Sequence, residues 1–202
     1  MDDFIIRTVT VNDAERLLEI YSSYVKNTAI SFEYDPPTLD EFKNRILNTL
    51  KKYPYLCILQ NNRIMGYAYA GAFHPRAAFG WAAETTVYLA PDARKCGLGR
   101  KLYEALEKAL KEMGILNLYA LVAYPETEDE YLSKNSAEFH AHLGYVKVGE
   151  LHNCGYKFGR WYHMIYMEKI IGEHKGSPRM VGQGKAAGLQ EPEFIGGEVD
   201  FD

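Results

Sequence analysis

Cysteine is scarce in this 202-residue chain, and the three present, Cys57, Cys96 and Cys154, lie far apart. They make neither a disulfide framework nor a C-x-x-C metal pair, so metal binding is not expected and a reducing cytoplasm is. No run approaches the roughly 20 apolar residues that a membrane-spanning helix needs. The opening Met1-Asp2-Asp3-Phe4 carries no basic region ahead of an apolar stretch, so no secretory leader is expected there. Basic residues form no stripe, and the formal net charge is −4, which argues against a nucleic-acid platform. Apolar residues make up 47% of the chain, enough for the core of one ordinary domain. From Gly172 onward the composition changes to glycine-rich, ending in Glu198-Val199-Asp200-Phe201-Asp202. We therefore expect a domain over residues 1–171 and a loosely ordered acidic tail over 172–202.

Periodicity and punctuation give the element order. Phe4 to Val9 reads as a strand. Asn12 or Asp13 can cap a helix burying Leu17, Leu18, Ile20, Tyr21 and Tyr24. Thr28 to Pro37 reads as an aromatic, proline-bearing loop. Thr38 and Glu41 have capping-box spacing before a helix burying Leu39, Phe42, Ile46 and Leu50. Strands over Tyr55–Gln60 and Ile64–Ala72 flank a hairpin turn at Asn61-Asn62, and a third strand ends at Ala90. A helix begins after Gly97 and stops near Gly114. A strand over Ile115–Ala123, a short helix over Ser136–Leu143 and strands over Tyr145–Leu151 and Trp161–Lys169 complete the order. This is a mixed α/β domain, not a repeated βαβ array. The sixteen tyrosines fall mostly at core positions and are assigned to packing before recognition.

The most informative segment is Arg94-Lys95-Cys96-Gly97-Leu98-Gly99-Arg100, between the strand Thr85–Leu89 and a helix. Helix starts leave N–H groups unpaired, glycine admits a close ligand oxygen, and the helix dipole favours negative charge. The loop therefore suits a phosphate or pyrophosphate held by residues 95–100. An ordinary glycine-bearing turn has the same local pattern. A Walker loop is ruled out because Arg100-Lys101 follows Gly99. A dinucleotide fingerprint is ruled out because the third glycine is missing.

The loop resembles the Arg/Gln-x-x-Gly-x-Gly/Ala pyrophosphate loop of the GNAT superfamily of N-acetyltransferases. Glu84 to Pro91 is similar to that family's central strand. Gly66-Tyr67-Ala68-Tyr69-Ala70, Phe139 to Tyr145 and Lys157-Phe158-Gly159-Arg160-Trp161 narrow the resemblance to the phosphinothricin acetyltransferase subfamily. It spans about Phe4 to Lys169. It implies a twisted, mostly antiparallel sheet of about 6–7 strands, about 4 flanking helices and a splayed central strand pair. It also implies acetyl-CoA as co-substrate, a small amino-acid-like amine as acceptor, and a homodimer. An acetyltransferase of protein or peptide amines, or a non-catalytic acyl-CoA-binding module, is the alternative.

Acyl transfer from a thioester needs a held cofactor and an amine stripped of its proton. Lys95, Cys96, Gly97, Leu98, Gly99 and Arg100 are the expected pyrophosphate contacts. The resemblance adds Val87, Tyr88 and Leu89 for the pantetheine arm and acetyl group, with Ser136 and Ser133 alongside. Glu84 follows the apolar run Phe79 to Ala83, where desolvation would raise its pKa and make it a candidate base. A plain surface glutamate at a strand start is the other reading. By resemblance His140 lies near the thioester sulfur, to protonate the thiolate or assist Glu84. His142, two residues away, points elsewhere on a helix, so the pair makes no metal site. Phe32, Glu33, Arg76, Phe79 and Trp81 are the expected acceptor residues, Arg76 suiting a carboxylate or phosphinate. The chain departs from the family pattern at Ser133, where asparagine is expected and Asn135 stands close by. It departs again at His163, where aspartate is expected, and in the acidic segment Tyr124 to Glu130.

Overall fold

The computed structural model describes residues 4–94, 96–176, 178 and 181–182. β1 (Phe4–Thr8) leads through one 3-10 turn into α1 (Ala14–Asn27). Leu17 and Ile20 of α1 are buried, each removal from water stabilising by about 2 kcal/mol. α2 (Leu39–Leu50) begins on the expected capping box: Glu41 N–H donates to Thr38 Oγ1, and Thr38 N–H donates to Glu41 Oε2. β2 (Tyr55–Gln60) and β3 (Arg63–Ala72) meet at Asn61 and Asn62, both at positive φ as a tight hairpin demands. β4 (Ala82–Leu89), α3 (Leu98–Met113), β5 (Asn117–Tyr124) and α4 (Asn135–His142) follow. α3 ends at Gly114, where φ is 95°. β6 (Val146–Lys157) and β7 (Arg160–Ile170) close the sheet.

The seven strands run in the order β1-β2-β3-β4-β5-β7-β6. All neighbours are antiparallel except β4 and β5, which pair only over Ala82–Glu84 with Asn117–Tyr119. Past Glu84 and Tyr119 the two strands diverge. Side chains alternate across a strand, so the two faces of β4 have different neighbours. Tyr88 packs on Tyr21 and Tyr24 of α1, while Thr85 meets Tyr103 of α3. Helices α1 and α2 thus cover one face, and α3 and α4 the other.

The hairpin β6–β7 corrects the expected strand ends. Strand was expected to stop at Leu151, but β6 continues to Lys157. Its register slips between Leu151 and Gly155 around Asn153, whose φ is 47°. That bulge breaks the alternation from which the strand was read. The Phe158-Gly159 pair is the two-residue turn, with φ of 50° and 75°. The hairpin holds the loop after α1. Phe32 lies where a Cβ on Gly155 would stand, 2.2 Å from the ring. The buried Lys157 Nζ donates to the carbonyls of Val25 (2.7 Å), Thr28 (3.0 Å) and Ser31 (2.7 Å). Three carbonyls require three N–H groups, so Lys157 is an ammonium despite the downward pull of burial on its pKa.

Beyond β7, Val181 packs on the core and Gly182 N–H donates to Met113 O. The acidic end of the expected tail, within 183–202, lies outside the described residues. Among the described residues no helix is long and apolar enough to cross a membrane.

Candidate active site

The divergence of β4 from β5 creates a wedge with Glu84 at its apex. The last paired residues are Glu84 and Tyr119. The wedge is lined by Thr85 to Tyr88 on one side and Ala120 to Ala123 on the other. Its open end continues into a cleft of ≈ 380 Å³. Ile30, Val87 and Ser136 line both spaces. The cleft also meets Leu89, Arg94, Ser133, Asn135 and Phe139. Ser133 and Asn135 therefore face the same space, and either can supply the polar contact expected of one.

Backbone parity decides which peptide groups face the wedge. Ala90 N–H donates to Met65 O on β3. Alternate residues turn their peptide groups to opposite edges, so those of Thr85, Val87 and Leu89 face the wedge. Tyr88 turns its peptide to β3 and offers the wedge only a wall. The Leu89 peptide is occupied: Tyr24 Oη donates to its carbonyl at 2.7 Å and accepts from its N–H at 3.2 Å. Of the three residues expected along a pantetheine arm, Val87 alone combines an inward-facing peptide with no bond across the gap among the described residues.

The two glycines of the loop have different tasks. Gly97 sits before α3 at φ 76°, with no described heavy atom within 4 Å of where a Cβ would be. Gly99 is buried, and a Cβ there would come within 3.2 Å of Leu89 and Phe139. The expectation that both glycines open the loop to a ligand holds for Gly97; Gly99 lets α3 pack closely. No side chain caps α3, and Lys101 N–H is the first to bond back, to Gly97 O at 3.3 Å. The preceding amides of Leu98, Gly99 and Arg100 remain as donors, and that set fits a diphosphate. Arg94 lies over the Tyr24 ring at 4.9 Å, adding a cation to the cleft wall. Arg100 Nη2 bonds to His142 O, and Cys96 is exposed. Lys95 lies outside the described residues.

Glu84 is half-buried, and burial raises its carboxyl above the usual range. No described ion pair offsets that burial, so the group holds a proton more readily than an ordinary glutamate, as a base at this position requires.

His140 is 5% exposed and lines the wedge. Its Nδ1 lies 2.7 Å from Ser136 O and its Nε2 2.8 Å from Tyr103 Oη. A carbonyl only accepts, so Nδ1 carries the hydrogen and Nε2 accepts the Tyr103 hydroxyl. Burial lowers the His140 pKa, which favours this neutral form. Both ring nitrogens are engaged, so His140 offers no free N–H to a leaving thiolate. With its one hydrogen given to His140, Tyr103 Oη lies 3.4 Å from Thr85 Oγ1, which donates to Tyr119 O at 3.2 Å and has Tyr145 Oη 3.1 Å away. Sequence reasoning missed this hydroxyl chain. Tyr103 falls on the buried stripe of α3, where a packing role is the simplest reading.

The expected acceptor residues are brought together only in part: Phe79 and Trp81 line one cavity of ≈ 260 Å³ with Tyr119, the partner of Glu84 on β5. Phe32 packs against Gly155. Arg76 and Phe79 are exposed, Phe79 meeting Phe73 edge-on and His74 at a tilt. Phe32, Glu33, Arg76, Phe79, Trp81 and Glu84 are not among the residues lining the wedge or the cleft; Glu84 stands at the apex as the last residue of β4 paired with β5. Glu33 pairs with Arg45 at 2.7 Å. The His163 departure has a structural reason: Asn153 N–H donates to its Nδ1 at 2.9 Å, fixing the bulge of β6. Among the described residues no three His, Cys, Asp or Glu gather in a way that could hold a metal ion.

A half-open parallel strand pair with a glycine-started helix at its mouth defines the acyl-CoA-dependent acyltransferase class. The family model for the acetyltransferase (GNAT) domain matches residues 6–166. A phosphinothricin N-acetyltransferase of Alcaligenes faecalis is 34% identical, covering 82% of each chain. An L-methionine sulfoximine/L-methionine sulfone acetyltransferase of Salmonella typhimurium is 30% identical over 84% of this chain and 95% of its own. The crystal structure of a phosphinothricin acetyltransferase from Sinorhizobium meliloti with acetyl-CoA has a TM-score of 0.81 at 28% identity. It covers 93% of this chain and 98% of that one. The chain belongs to the GNAT acetyltransferase family and is an N-acetyltransferase.

Proposed function

We propose that the chain acetylates the amine of a small amino-acid-like acceptor of the phosphinothricin or methionine sulfoximine type, using acetyl-CoA. The wedge between β4 and β5, with a desolvated carboxylate at its apex and an uncapped helix start at its mouth, carries the reading. Relatives named for those acceptors and a solved relative holding acetyl-CoA support it. Acetyl-CoA supplies an acetyl group activated as a thioester. The amides of Leu98, Gly99 and Arg100 hold its diphosphate, with Arg94 nearby. Val87 offers its peptide along the wedge, and Ser133, Asn135 and Ser136 line the opposite wall.

Glu84 accepts the ammonium proton, directly or through a water, and so frees the nitrogen lone pair. The nitrogen would bond to the acetyl carbonyl carbon as its C–S bond breaks, and coenzyme A would leave as a thiolate that takes its proton from solvent. His140 acts as a positioning residue that holds the Tyr103 hydroxyl beside Thr85. The test is steady-state transfer to phosphinothricin, methionine sulfoximine, ordinary amino acids and peptides. Turnover restricted to peptides, or binding of acetyl-CoA without any transfer, would sink the reading.

The protein is further proposed to be a cytoplasmic homodimer with a catalytic domain over residues 1–171. Exposed Val146 and Leu151, opposite Glu168 and Met164 and so on one side of the β6–β7 hairpin, supply apolar surface of the kind that pairing covers. Light scattering gives the mass; a monomer at working concentration would remove the dimer.

A further inference from the structure

The face of β4 turned toward α1 and α2 carries a second cavity, of ≈ 350 Å³. Its walls include Tyr21, Tyr55, Tyr67, Tyr69 and Tyr88, with the half-exposed Arg45 of α2. Tyr67 is 1% exposed and Tyr55 3%. Among the described residues the hydroxyls of Tyr55, Tyr67 and Tyr88 nevertheless bond to no protein group. Arg16 Nη2 is the one described side-chain N or O both sealed from the surface and unpartnered. The three hydroxyls therefore meet the open space of the cavity. Each phenol that opens onto the cavity has a hydrogen free to donate to an acceptor entering it.

The chemistry of the walls selects the occupant. Burial holds the phenols of Tyr55, Tyr67 and Tyr88 well above their ordinary pKa, so all three keep their protons and donate. Arg45 adds a guanidinium, held at the cavity mouth by its pair with Glu33 at 2.7 Å and bearing further N–H donors. Neutral donors lining one cavity with a guanidinium at its wall match a group rich in acceptor oxygens and negative in charge: a phosphinate, phosphonate or carboxylate.

The register places this cavity beside the wedge. Glu84, Thr86 and Tyr88 lie opposite Gly71, Tyr69 and Tyr67. At about 6.8 Å per two residues, Tyr69 lies about 7 Å along the strand from Glu84 and Tyr67 about 14 Å. Tyr88 lines both the wedge and the cavity. The Tyr69 phenol, pushed up to about 12 chiefly by burial, also feels the charge of Glu84.

We propose that the tyrosine cavity is the side-chain subsite of the acceptor, holding an oxo-acid group while the amine stands at Glu84. The proposal rests on the acetyl-transfer reading above. It adds a length rule: amino acids whose oxo-acid lies several bonds beyond the α-carbon are acetylated in preference to short ones.

The probe is 4-phosphonobutyrate, which has the oxo-acid and no amine to acetylate. Calorimetry on the full chain should show it binding, and it should compete with 2-amino-5-phosphonopentanoate in transfer assays. Tyr67→Phe, which keeps the ring, should weaken the probe about tenfold with KM for acetyl-CoA unchanged. Asn48→Trp, at an exposed α2 position lining the same cavity, should abolish its binding by filling the space. Equal probe affinity in wild type and both variants would overturn the subsite, as would absence of binding by an enzyme that still acetylates amino acids. Variant-sensitive binding by a protein that acetylates no amine would overturn both the acceptor role and the proposed function.

Discussion

The two faces of β4 use the same chemical group in opposite states. Toward α3 and α4, the hydroxyl of Tyr103 donates to His140, that of Thr85 to Tyr119 O, and that of Tyr145 meets Thr85. Toward α1 and α2, the hydroxyls of Tyr55, Tyr67 and Tyr88 open onto a cavity and bond to no described protein group. Burial alone therefore says little about a tyrosine's role. A satisfied network is finished before any ligand arrives and holds fixed geometry. An unsatisfied one waits for its partner.

Substitutions sharpen that contrast, beginning with the residue between the two faces. Glu84→Gln should lower kcat about a hundredfold. Wild-type activity should fall as pH drops through the raised pKa of Glu84, because the base must be unprotonated; the variant should lose that acid limb. Near-normal turnover would remove Glu84 from the chemistry. On the finished face, His140→Ala should lower kcat roughly tenfold while KM for acetyl-CoA and the acid limb hold. Unchanged kcat would show that the Tyr103 network is scaffold only. At the wedge mouth, Gly97→Ala puts a side chain at left-handed φ, costing about 1 kcal/mol, and should raise KM for acetyl-CoA about fivefold with kcat kept. The smallest effects test the comparison itself by urea unfolding without ligand. Tyr103→Phe should cost about 1 kcal/mol, since it orphans His140 Nε2, whereas Tyr67→Phe should stay within about 0.5 kcal/mol. Equal losses would mean that the two networks do not differ.

Elements governed by neighbours in sequence were legible. Thr38 and Glu41 sit three apart, Asn61-Asn62 separates two apolar runs, and Gly114 follows a periodic stripe; each signal is local. β6 was cut short because its bulge at Asn153 depends on His163, ten residues away on β7. The wedge residues were readable through their resemblance to a family motif. Arg76 and Phe79 were grouped with Glu84 by proximity along the chain, and the fold leaves both exposed. The tyrosine cavity left a faint mark: Tyr67 and Tyr69 share a face of β3, and Tyr55 lies across from Tyr69 on β2. Nothing in the string distinguishes a bonded phenol from an unbonded one, because that depends on what α1, α2 and α3 bring across the sheet.

Lys157 makes the distal hairpin and the acceptor side one mechanical unit. Its ammonium grips Ser31 through the carbonyl, and the Ser31 hydroxyl in turn meets Tyr21 Oη at 2.9 Å on the cavity wall. A strut of two residues thus links the turn at Phe158-Gly159 to the chamber beneath α2. Whatever docks against that turn has a direct lever on the amine substrate, and Lys157→Met, by cutting the strut, should register in acceptor KM as well as in the melting temperature.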